Sequence, residues 1–148
     1  MIGRMPTIDV SRTVAAPLEV VWEVVADHRG MVEYTNFRKV ELEREGDPAP
    51  NGLGAIRVLH LVGPPVREEV VAFEAPHRLV YTMLSGAPLK PHVGTVELSP
   101  VAGGTRMGYV VETSPPKLFG PLGPALVRKL VGDTAAGIAG EAEKRAAG

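Results

Sequence analysis

The chain contains no cysteine. That excludes disulfides, thiolate nucleophiles and cysteine-based zinc sites, and it is compatible with a reducing compartment. An excess of either charge is also missing: 16 Lys and Arg stand against 17 Asp and Glu, a formal net charge of −1. Neither nucleic acid nor an anionic membrane surface is implied as a partner by that balance. No apolar run approaches the roughly 18 residues that span a bilayer, and the opening MIGRMPTIDVSR has no apolar signal core. The expectation is an unprocessed, soluble, cytoplasmic protein without stable membrane insertion. Catalytic signatures are equally scarce. His28, His60, His77 and His92 show no metal-ligand spacing, so no metal is expected. There is no Gly-x-Ser-x-Gly elbow, and GLGAIR lacks the third glycine and the following helix of a dinucleotide site. No cofactor is implied.

What is present is a globular composition. Of 148 residues, 45% are apolar and 22% charged, enough for one domain, 1–148, with one substantial core and no disordered tail. TIDVSRTV alternates like a half-buried strand. AAPLEVVWEVVADH then offers a broad apolar helical face behind Pro17, and MVEYTN suggests a second short helix. Strand patterns follow in FRKVELERE, AIRVLHLV, VREEVVAFE, HRLVYTML, HVGTVELS and Thr105–Thr113. From Pro121 or Pro124 to about Arg145 the pattern is helical, with Leu122, Leu126, Leu130, Thr134 and Ile138 recurring every four residues. Strands on short connections form an antiparallel meander, and a sheet with an apolar face needs a cover. The last helix is the only large one available. The expected fold is therefore α+β: a curved antiparallel sheet of about six or seven strands gripping a long C-terminal helix, with two short helices after the first strand.

Three stretches, AAPLEVVWEVVAD, VREEVVAFEAPHRLVYTM and LSPVAGGTRMGYVVE, together with their spacing, resemble the START-like superfamily, in particular its bacterial polyketide cyclase/dehydrase-like branch. The resemblance covers roughly Thr7 to Ala142. It implies a helix-grip fold with an apolar cavity between sheet and helix. It does not imply one chemistry, since such scaffolds serve lipid, sterol and hormone binding as well as polyketide cyclisation. Binding of a small hydrophobic molecule is the first expectation; a cyclase or dehydratase using the same cavity is the second. Peripheral membrane or partner docking through the proline-rich 114–124 segment with Lys117, Arg128 and Lys129 is a third. The chain itself is expected as a monomer or homodimer.

Candidate residues come from alternation. Centring a tight hairpin on GPP, residues 63–65, sets His60 opposite Glu68 and Arg57 diagonal to Glu69. Leu59, Leu61, Val71, Phe73, Leu79, Tyr81, Met83, Met107, Tyr109 and Val111 share one parity, which would put Arg57 and Glu69 inside as candidate acid–base groups, with His60 and Glu68 outside. Ligand contacts are expected from Tyr34, Leu59, Phe73, Tyr81, Met83, His92, Tyr109, Phe119, Leu122 and Leu126. Leu118, Phe119 and Leu122 would form either a lid or a fixed plug over the cavity mouth. Glycines in the last helix suit either close packing or space left open.

Overall fold

The structure is a computed structural model and describes residues 7–86, 91–114 and 120–148. Seven strands form one antiparallel sheet: β1 (Thr7–Val14), β2 (Lys39–Arg44), β3 (Ile56–His60), β4 (Val66–Glu74), β5 (Arg78–Ser85), β6 (His92–Val101) and β7 (Gly104–Thr113). Their order is β1-β7-β6-β5-β4-β3-β2. Strands β2 to β7 are a meander, each pairing with its chain neighbour. β1 closes onto β7, so β1 and β2 occupy opposite edges. Helices α1 (Leu18–Ala26) and α2 (Met31–Tyr34) carry the chain from one edge to the other, and α3 (Leu122–Ala147) returns over the sheet. This is the helix-grip architecture expected from the sequence.

Packing is uneven along α3. The helix lies against α1, α2, β1 and β7, leaving its other flank to face β3, β4 and β5. Its N-terminal half was expected to bury Leu122 and Leu126, yet these are 66% and 53% exposed. A four-residue repeat drifts by about 40° per step around a helix of 3.6 residues per turn. The buried line instead follows Val127, Val131, Ala135, Ile138 and Ala142. Among the helix glycines, Gly137 is close-packed. A Cβ there would meet the Tyr34 carbonyl oxygen at 1.9 Å, whereas at Gly132 and Gly140 it would meet nothing within 4 Å.

The core at the β1 end is tight: Val14, Val21, Val24, Leu79, Met107 and Val111 are almost wholly inaccessible. Trp22 on α1 meets Phe73 edge to face, with ring centroids 5.1 Å apart.

Two expectations about β4 need correction, each for its own reason. The β3–β4 register pairs Arg57 with Glu68 and Leu59 with Val66, not His60 with Glu68. Pro64 and Pro65 have no N–H to give a ladder, so the connection takes in His60–Pro65 and its centre moves away from GPP. Each β4 residue thereby changes face relative to β3. Glu68 points inward and Glu69 outward, where Arg44 holds it at 2.7 Å. His60 does face outward, but its partner is Glu41 at 2.8 Å. Further along, the β4–β5 register shifts between Val70 and Ala72. Such a bulge inserts one residue and restores the other parity beyond it. Val71 is therefore 46% exposed rather than interior, while Val70 and Phe73 both turn inward.

Candidate functional site

Between α3 and the β3–β5 half of the sheet lies a cavity of about 620 Å³, within the range of small-molecule sites. Its walls are mostly apolar: Met31, Phe37, Leu59, Leu61, Met83, Val127, Leu130 and Val131 contribute, with exposed Val62 and Leu126 towards solvent. Among the described residues, six polar ones interrupt that lining: Arg57, Glu68, Tyr81, His92, Tyr109 and Thr134. Thr134 satisfies itself by donating to the Leu130 carbonyl at 2.9 Å. The other five form a polar pole.

Arg57 is its centre. The side chain leaves β3 on the inner face and is 3% exposed. Nε donates to Glu68 Oε1 at 2.9 Å, and Nη2 lies 2.8 Å from the same oxygen. Nη1 reaches His28 Nδ1 at 3.3 Å and Met31 Sδ at 3.4 Å. The guanidinium carbon stands 4.6 Å from the Tyr81 ring centroid, a cation–π distance. Burial works against the guanidinium's charge, but Glu68, with Tyr109 and Tyr81 beside it, more than offsets this and raises its pKa. Arg57 is thus a fixed cation in an apolar setting.

His28 fixes its own tautomer through two partners. Its Nε2 lies 2.9 Å from the Asn51 carbonyl, which only accepts, so Nε2 carries the hydrogen. Nδ1 is then the acceptor for Arg57. Burial, reinforced by the adjacent guanidinium, lowers the His28 pKa to about 3. Neutral His28 thereby links the α1–α2 turn to the loop before β3 and orients Arg57.

Tyr81 and Tyr109 share a hydrogen bond of 2.8 Å between hydroxyls. Burial raises both phenol pKa values, so both remain protonated at neutral pH. His92 Nδ1 pairs with Thr113 Oγ1 at 2.9 Å, and burial lowers the imidazole's pKa. Gly94 makes the Tyr81 position possible. It sits directly across from Tyr81 on β6, and a Cβ there would stand 2.1 Å from the ring. Gly94→Ala is expected to push the ring into the cavity, break the Tyr81–Tyr109 bond and cost about 1–3 kcal/mol. Urea unfolding measures this; an unchanged midpoint would mean the ring moves aside freely.

Of the ligand contacts expected from sequence, the cavity wall includes Leu59, Tyr81, Met83, His92, Tyr109 and Leu126, together with Arg57. Three others lie elsewhere. Tyr34 turns its hydroxyl to the Val24 and Asp27 carbonyls at 2.8 and 3.2 Å. Phe73 packs on Trp22, and Leu122 faces solvent. Phe119, with Leu118, Lys117 and the rest of 115–119, lies outside the described residues. Glu69, a candidate acid–base group, turns away from the cavity to pair with Arg44. Glu68, which alternation put outside, takes a place at the pole, and His28, which alternation did not assign, stands behind it against Arg57. Among the described residues, no group of three or more His, Asp or Glu could hold a metal ion.

A seven-stranded antiparallel sheet packed against one long C-terminal helix is the architecture that comparison with known proteins also finds. The sequence matches the family described as polyketide cyclase / dehydrase and lipid transport over residues 5–144. The chain belongs to this family. The fold is shared with the protein XoxI from Bacillus cereus (12% identity, 92% of this chain and 94% of that one, TM-score 0.75). It is shared with a START superfamily protein from Mycobacterium smegmatis (15% identity, 98% of both chains, TM-score 0.70). The Zhui aromatase/cyclase from a Streptomyces species also superposes (22% identity, 95% of both chains, TM-score 0.71). No curated protein sequence matches this chain. No helix among the described residues is long and apolar enough to cross a membrane.

Proposed function

We propose that this family member binds a small hydrophobic molecule, lipid-, sterol- or polyketide-like, between α3 and β3–β5. The supporting observation is the cavity itself: about 620 Å³ of space with apolar walls and one buried polar pole. A dry void of that volume would cost on the order of 15 kcal/mol, comparable with the whole stability of a domain. The space must therefore hold water or a ligand. Apolar walls are poor hosts for water, and burying an apolar ligand against them gains about 25 cal/mol per Å². The pole then orients whatever enters.

Native mass spectrometry of protein purified from its own host tests this reading. A retained non-covalent mass of a few hundred daltons is expected, lost in a Val131→Phe variant that narrows the cavity while keeping its circular dichroism. Identical native and denatured masses, together with no uptake of hydrophobic probes, would remove the proposal.

A second reading, cyclisation or dehydration of a polyketide-like substrate, draws on the buried Arg57 beside two protonated phenols. A cation and phenol donors would stabilise an enolate as it forms, with Glu68 or neutral His92 accepting the proton. Its test is the product profile from a reactive poly-β-ketone. Tyr109→Phe should reduce cyclised product without weakening hydrophobic probe binding, and an unchanged profile would leave binding alone.

A further inference from the structure

The pole has an unequal hydrogen-bond inventory. Glu68 is 5% exposed and lines the cavity, yet both close Arg57 nitrogens fall on its Oε1. Oε2 takes no hydrogen bond from any described residue. Among the described residues, no fully buried polar side-chain atom lacks a partner, so Oε2 must meet open space. The space that Glu68 lines is the cavity. A carboxylate oxygen only accepts, so this position calls for a donor.

The neighbouring groups narrow the chemistry. Arg57 and Glu68 already neutralise each other inside an apolar wall. A ligand carboxylate or phosphate would leave a net negative charge there, out of water and next to Oε2. A neutral ligand adds no such charge. The two tyrosine hydroxyls use one of their two hydrogens on each other, so one phenolic hydrogen is left for an acceptor. A hydroxyl group on the ligand meets both demands, donating to Oε2 and accepting from the phenol, whereas an ether or ester oxygen only accepts.

Building on the reading that this cavity binds a hydrophobic molecule, we infer that its ligand is uncharged and ends in a hydroxyl that donates to Glu68 Oε2, and that acids with the same apolar body are rejected.

Three probes with one shared chain separate the possibilities: decanol, decyl methyl ether and decanoate, titrated calorimetrically into the wild-type protein at neutral pH. The alcohol should bind at least about tenfold more tightly than the ether, which is 1.4 kcal/mol, and decanoate should bind most weakly. In the double variant Arg57→Met/Glu68→Leu the alcohol and ether should become equal, with both still bound. Equal affinity of alcohol and ether for the wild type, or tightest binding of decanoate, overturns the inference and leaves hydrophobic binding standing. No binding of any probe overturns both. Because the ranking is read on the wild-type protein, it does not depend on whether the variant folds.

Discussion

Glu68→Ala is expected to lower the unfolding free energy by about 3–5 kcal/mol, the range for removing one partner of a buried ion pair. The Arg57→Met/Glu68→Leu double variant is expected to lose far less. The asymmetry follows from burial. Arg57 and Glu68 are both nearly inaccessible, and burial opposes the guanidinium's charge while Glu68 restores it. With Glu68 gone, the cation keeps uncharged neighbours around it: His28, the Met31 sulfur, the Tyr81 face and the Tyr109 phenol. Replacing both charges with apolar side chains removes the desolvation penalty along with the attraction, which is often neutral or stabilising. Urea denaturation of wild type and both variants measures the difference. A single variant within about 1 kcal/mol of wild type would mean that water already solvates the pair from the cavity. The stabilising role of the pair and its role towards a ligand are therefore separable, because the first belongs to Oε1 and the second to Oε2.

How far these residues were legible in the sequence depended on the range of the signal. The sheet and helix order follows from local alternation, turn residues and connection length, all of which act over a few positions. β5 and β7 kept their parity from end to end, so Leu79, Tyr81, Met83, Met107, Tyr109 and Val111 are buried as alternation predicts. β4 did not, because its face was inferred through the hairpin connection and then across a bulge. Pro64 and Pro65 hold the clue to the first error, since neither could have donated within a tight two-strand turn. The bulge at Val71 has no comparable mark. His28 was beyond local reading: it matters because the loop containing Asn51 folds back to accept its Nε2 hydrogen, a contact 23 residues away. Leu122 and Leu126 show the same limit on a helix. A four-residue spacing identifies the helix, but the side that is buried is decided by what lies across from it.

Acid should destabilise this protein at a pH where most proteins are indifferent. His28 titrates near 6.5 when unfolded and at about 3 in the fold. Above the unfolded value both states are neutral and nothing is lost. As pH falls below it, the unfolded chain takes up a proton that the native His28 refuses, and stability drops by about 1.4 kcal/mol per pH unit until the folded value is reached. Between pH 7 and pH 5 this one histidine should remove about 2 kcal/mol. His92, also lowered by burial, acts with the same sign. The exposed carboxylates Glu41 and Glu43, held below the ordinary 4.5 by hydrogen bonds from His60 and Arg67, lose their contribution mainly as pH falls through 4.5 and lower, beneath that window. Unfolding free energies in urea at pH 7 and pH 5 provide the measurement, with His28→Gln removing the larger part of the slope. The His28 ring proton shift in NMR should stay constant over the same interval. A ring that titrates near pH 6 in the folded protein would contradict the assigned tautomer, since the added proton would sit on Nδ1, against the guanidinium of Arg57. The acid sensitivity thus arises at the same pole that would hold the ligand, and an alcohol bound there should not restore the lost stability by changing the histidine, only by mass action on the native state.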